Sequence, residues 1–152
     1  MNPQLDESVH LAESSEDWSP IFEAERARLL SAPGLEGANV EHIGWTAVPG
    51  LLAKPIVDIQ VGVASYPPPE SVALALARLG YNAFGEAGVP DRQYFCLRGE
   101  RDVNVHVVQA SGAHWSSNIA LRDHLRSSTS AREQYASAKR AAVETGAVRL
   151  EA

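Results

Sequence analysis

Alternation of apolar and polar residues is clearest at residues 55–63. There Val57, Ile59, Val61 and Val63 fall on one side and Ile56, Asp58, Gln60 and Gly62 on the other, the period of two of a β-strand. The same period returns at 92–97 and 103–108, with Val103, Val105 and Val107 on one side and Asn104 and His106 on the other. The intervening Arg98-Gly99-Glu100-Arg101-Asp102 predicts an antiparallel hairpin. Shorter strands are expected at 39–43 and 81–84. Elsewhere the spacing becomes helical. Trp18, Phe22 and Leu29, with Ile21 and Leu30, predict a helix over 18–31, with Ser19 as N-cap and Pro20 at the first helical position. Val72, Leu74, Leu76 and Leu79 predict another over 70–79, with Gly80 just past its end. Two helices are expected at 115–127 and 131–145, the second opened by a capping box from Ser130 to Glu133 and closed by Gly146.

This order predicts an α+β fold, a mixed sheet with helices packed mainly on one face. A doubly wound parallel sheet would place a helix between nearly every pair of strands. Residues 1–16 are polar and expected to be partly disordered, leaving 17–152 as a single domain. The composition is 45% hydrophobic and 21% charged, ordinary for a soluble globular protein. No apolar run is long enough to span a bilayer. The acidic start, with Asp6 and Glu7, does not resemble a signal peptide. The lone Cys96 admits no internal disulfide and is expected simply to pack. A cytoplasmic location follows as the expectation, with no membrane partner. The formal charge of -6, with Lys and Arg scattered, argues against a nucleic-acid polymer as partner. A small anion needs far less: one or two cations and a few backbone N–H groups.

Candidate chemistry gathers around one segment, Glu41-His42-Ile43-Gly44-Trp45-Thr46-Ala47-Val48-Pro49-Gly50 followed by Lys54-Pro55-Ile56-Val57-Asp58. A carboxylate inside a strand is costly unless it binds something or is hydrogen-bonded. Asp58 is therefore the first candidate for a catalytic or metal-binding group. Gln60, two residues on, supplies an amide oxygen where a hard cation would favour a second carboxylate. His42 and His106 reach Asp58 if their strands are neighbours, and could ligate a metal, serve as general bases, or simply bond to the backbone. Gly44, Trp45, Thr46 and Lys54 could hold a phosphate through backbone N–H groups, a hydroxyl and an ammonium, and Arg92 and Arg98 could reach across the sheet toward an anion. Arg122, Asp123, Tyr135 and Lys139 are expected to be surface groups on the C-terminal helices.

The long segment from Glu41 to Ile59, with Arg92-x-Tyr94-Phe95, His106-Val107-Val108, Trp115, Arg122-Asp123-His124-Leu125-Arg126 and Tyr135-Ala136-x-Ala138-Lys139, resembles the GrpB proteins (UPF0157) of the nucleotidyltransferase superfamily over roughly residues 17–142. The resemblance implies a polymerase-β-like fold. It also implies a nucleotide or other phosphorylated small molecule as ligand, with a hint of coenzyme A metabolism, and metal-dependent nucleotidyl or phosphoryl transfer as a possible activity. Gly44 matches the superfamily's phosphate-binding glycine and Asp58 its first metal-binding acid. Trp45 replaces the usual serine, Gln60 replaces the second acid, and Asn104 and His106 stand where the third would come from a neighbouring strand. Three readings stay open: a Mg²⁺-dependent transferase, a ligand-binding module without catalysis, and an enzyme that binds a transition metal through His42, Asp58 and His106. The chain stops soon after Lys139, short of a last helix expected from longer members, which would favour a homo-oligomer.

Overall fold

The computed structural model describes residues 18–51 and 55–144. The expected loose N-terminal segment, Lys54 and the closing Gly146 lie outside the described residues. The elements are α1 (Ser19–Leu30), β1 (Asn39–Ile43), a 3-10 turn (Trp45–Ala47), β2 (Val57–Val63), α2 (Glu70–Arg78), β3 (Asn82–Ala83), β4 (Gln93–Leu97), β5 (Val103–Gln109), α3 (Ala113–Ser127) and α4 (Thr129–Glu144). Five strands form one mixed sheet in the order β1-β2-β5-β4-β3. Only β2 and β5 run parallel; β1 with β2, β5 with β4 and β4 with β3 are antiparallel.

Strand parity decides the layers. Val57, Ile59, Val61 and Val63 align with Val103, Val105, Val107 and Gln109. All but Gln109 enter one core with Phe22 and Leu29 of α1 and Val72, Ala75 and Leu76 of α2. In α2 it is Ala75 rather than Leu74 that turns inward; Leu74 is exposed. The opposite face carries Glu41, Asp58, Gln60, Gly62, Asn104 and His106, and α3 lies across it. Trp115 of α3 occupies the space where Gly62 has no side chain: a Cβ there would come within 2.9 Å of the indole. The expectation of helices mainly on one face is thus corrected. The segments are amphipathic as read, but the sheet receives α1 and α2 on one side and α3 on the other. A second, smaller apolar cluster joins Val48 and Leu51 to Leu125 of α3 and Ala131 of α4.

Two helix starts shift. The first residue of α1 is Ser19, preceded by Trp18 as N-cap. The cap of α4 is Ser128, whose Oγ accepts the Ala131 N–H at 3.1 Å; the sequence pattern at Ser130 lies two residues too late.

Glu25 of α1 has no counterpart among the expected features. Its side chain is wholly buried and accepts hydrogen bonds from Arg28 (3.0 and 2.9 Å) and from the Tyr81 hydroxyl (2.6 Å). Arg101, from the β4–β5 turn, lies 3.3 Å away. Burial alone would raise the Glu25 carboxyl, but the bonds from Arg28 and Tyr81 and the charges of Arg28 and Arg101 hold it below the ordinary carboxylate range. Burial, and then the same carboxylate, push the Tyr81 phenol up. This network ties α1 to the end of α2 and to the hairpin, because Arg28 also donates to the Leu79 carbonyl.

Candidate functional site

The polar face of the central strands is built from alternate residues of the same strands that build the core. Pairing places Asp58 beside Asn104 and Gln60 beside His106. His106 in turn faces Tyr94 of β4. Asp58 Oδ1 is 3.0 Å from His106 Nε2, and His106 Nδ1 is 3.3 Å from Arg92 Nη1. A guanidinium can only donate, so Nδ1 is the acceptor and Nε2 carries the hydrogen donated to Asp58. Both imidazole nitrogens are thereby committed. Arg92 also donates to the Glu86 carbonyl at 3.1 Å and lies over the Tyr94 ring at 4.6 Å. Burial, and next the negative charge of Asp58, push the Tyr94 phenol up, so it stays a neutral hydroxyl.

His42 does not join this group. The register of β1 sets His42 opposite Ile59 and Ile43 opposite Asp58, so His42 turns into the other layer. There its ring stacks on Phe22 with centroids 4.8 Å apart, and Nε2 lies 2.8 Å from Thr46 Oγ1. Thr46 is buried as the partner of His42. Of the three groups expected at one hollow, Asp58 and His106 meet and His42 is excluded by strand parity.

The remaining candidates have structural partners. Gln60 is fully buried; its amide donates to the Trp115 carbonyl (3.2 Å) and its oxygen accepts from Asn118 (2.8 Å), fastening α3 to β2. Arg98 donates to Asn104 Oδ1 at 2.9 Å and to the Leu97 and Val103 carbonyls, closing the β4–β5 hairpin. Gly44 turns the chain at the end of β1 with φ 75°, a conformation that favours glycine. Trp45 is covered rather than presented: Lys139 Nζ sits 3.5 Å from the ring centroid, and Tyr135 meets it edge-on at 5.5 Å. Lys139 is buried, not the surface lysine expected. Arg122 is also more than a surface group, donating to Glu41 Oε2 (2.9 Å) and to the His42 carbonyl (3.2 Å). Arg126 of α3 donates to the Ala47 carbonyl at 2.8 Å.

A cavity of about 150 Å³ opens beside this network, lined by Ile43, Val89, Arg92, His106, Val108, His114 and Asn118. His114 and Asn118 drew no attention in the sequence. They come from α3, and only the crossing of that helix over the polar face brings them to β5. Their signal was faint: helical spacing of four on the stretch that also carries Trp115.

A divalent metal is what the superfamily resemblance implies for this face. Asp58 is engaged by His106, Gln60 by Asn118, Asn104 by Arg98 and Glu41 by Arg122. No cluster of three or more His, Cys, Asp or Glu side chains placed to hold a metal ion occurs among the described residues. The donor set on this face does not fit a paired-carboxylate centre or a His/Asp/His centre.

A profile of the family described as "GrpB protein" matches residues 8–151. The chain belongs to the GrpB family. It is 39% identical to a UPF0157 protein of Streptomyces coelicolor over 137 residues, 90% of this chain and 71% of that protein. A UPF0157 protein of Halalkalibacterium halodurans is 33% identical over 135 residues, 88% of this chain and 68% of that one. The crystal structure of GrpB from Enterococcus faecalis superimposes with a TM-score of 0.73 at 31% identity, covering 90% of this chain and 84% of that one. The five-stranded mixed sheet with its helices is therefore a GrpB fold. No helix among the described residues is long and apolar enough to cross a membrane.

Proposed function

We propose that this GrpB protein binds a small phosphorylated molecule, with nucleotides among the candidates, on the polar face of a nucleotidyltransferase-like scaffold. In this reading binding needs no divalent ion, because the ligand meets guanidinium groups rather than a carboxylate-held metal. The observation that supports it best is the commitment of Asp58: its Oδ1 is spent on His106, which is itself held by Arg92. Glu41, Gln60 and Asn104 each accept from a donor of their own. Such an arrangement orients cations; it does not gather oxygen ligands about an ion. The acidic chain nonetheless brings Arg92, Arg98 and Arg122 to this one face, where they bond His106, Asn104 and Glu41, which favours small anions over polyanions.

The test is a thermal-shift screen followed by titration calorimetry. It uses nucleoside mono-, di- and triphosphates, coenzyme A and its phosphorylated precursors, each in EDTA and in Mg²⁺. A ligand at about 100 times its Kd adds about 2.7 kcal/mol, which a melting curve resolves. Stabilisation by a phosphorylated compound, equal in EDTA and in Mg²⁺, is the expected result. Stabilisation only with Mg²⁺ would overturn the metal-independent reading in favour of metal-dependent transfer. No stabilisation by any of them would overturn the ligand class.

A further inference from the structure

We infer that the cavity between β5, Arg92 and α3 seats a single small anionic group, a phosphate or a carboxylate, with His114 as a contact residue for that group. This rests on the reading of the polar face as an anion-binding surface and adds to it the place and the contacts.

Size is the first consideration. A cavity of about 150 Å³ is below the roughly 300–1,000 Å³ typical of sites that enclose a drug-sized ligand. It has room for one polar group of a ligand whose remainder stays outside. Charge is the second. The lining contains Arg92, His106, His114 and Asn118 and, among the described residues, no carboxylate. Asp58, which neutralises part of the Arg92 charge, bonds to the opposite nitrogen of the imidazole and is not among the lining residues. Arg92 is thus the permanent charge among the described lining residues, and it is 8% exposed, so solvent screens it weakly.

The third consideration is construction. His106 is fixed from both ring nitrogens, and Asn118 is fixed through its bond to Gln60. His114 Nε2 donates to the Pro90 carbonyl at 2.7 Å, which orients its ring and leaves Nδ1 as the nitrogen that donates to an anion when the ring is an imidazolium. The loop bearing Val89 is held from two sides, by His114 at Pro90 and by Arg92 at the Glu86 carbonyl. The groups of the seat are therefore in position before any ligand arrives.

The experiment follows the ring and guanidinium signals of the full chain by NMR during titration with inorganic phosphate and, separately, with acetate. Saturable shifts are expected at Arg92, His106 and His114 together, and the anion that shifts them at lower concentration names the group. His114→Ala weakens that binding about tenfold, the loss expected when one hydrogen bond to a charged partner is removed. His124→Ala, on the same helix but not lining the cavity, leaves it unchanged. Arg92→Gln removes the binding; if that variant does not fold, His114→Ala decides alone. Shifts that map elsewhere on the polar face, or an unchanged affinity in His114→Ala, would overturn this seat while leaving phosphorylated-ligand binding intact. If neither these anions nor any phosphorylated compound binds, both readings fall.

Discussion

The two faces of the β2–β5 pair differ in one residue of register and in almost everything else. Val57, Ile59 and Val61 meet Val103, Val105 and Val107 in a continuous apolar layer closed by α1 and α2. One position along, Asp58, Gln60, Asn104 and His106 are just as buried, yet each is held by a named hydrogen bond. The first face derives its stability from area removed from water, which tolerates exchange among apolar shapes. The second tolerates little exchange, because a buried polar group left unpaired costs more than the bond gained. The same strands thus carry a core and a positioned polar network, and the network accounts for the candidate site.

The largest effect should come from the apolar face. Ile59→Ala empties a fully buried position between β1 and β5 and should cost about 2–5 kcal/mol in urea denaturation. A loss below about 1 kcal/mol would mean that this layer does not close as described.

The polar face is sharpened by Gln60→Glu. A carboxylate can still accept from Asn118 but cannot donate to the Trp115 carbonyl, so α3 loses one of its fastenings. A loss of about 1–3 kcal/mol is expected, with no gain in Mg²⁺ affinity by calorimetry. Tight Mg²⁺ binding by this variant would show that position 60 faces a metal site after all.

A smaller effect separates the Glu25 network from both faces. Its carboxyl is held below its ordinary value of 4.5. The stability this contributes is present in full above that value and is lost as pH falls through the folded-state pKa. Glu25→Gln should therefore flatten the acid limb of the stability-against-pH curve, measured by denaturation between about pH 6 and pH 3. An acid limb with unchanged slope would place the responsible carboxylates elsewhere.

Much of this was legible in the sequence. The alternation read over 55–63 and 103–108 matches the faces that β2 and β5 present, and the hairpin between β4 and β5 forms where Arg98–Asp102 interrupts the pattern. The placement of His42 was not legible. Parity within β1 is plain, but which parity faces Asp58 depends on the register with β2, and a shift of one residue exchanges the two layers. Gln60 looked like a missing acid because its partners lie 55 and 58 residues away on a helix whose side of the sheet was unknown. Glu25 carries no signal of its role in the sequence, since only the tertiary fold brings Tyr81 and Arg101 to it. Arg122 and Lys139 were misjudged for the same reason: long side chains on helix faces look solvated until the surface they cross is known.

The central claim is that Asp58 acts through His106 to hold Arg92, rather than through a metal. Ring ¹⁵N NMR of His106 tests it most directly, because the proton positions are read at the atoms concerned. The account predicts a neutral imidazole with the proton on Nε2 and a bare Nδ1, and a loss of that preference in Asp58→Asn, whose amide can donate as well as accept. A proton resident on Nδ1 in the unaltered protein, or a tautomer indifferent to Asp58→Asn, would contradict it.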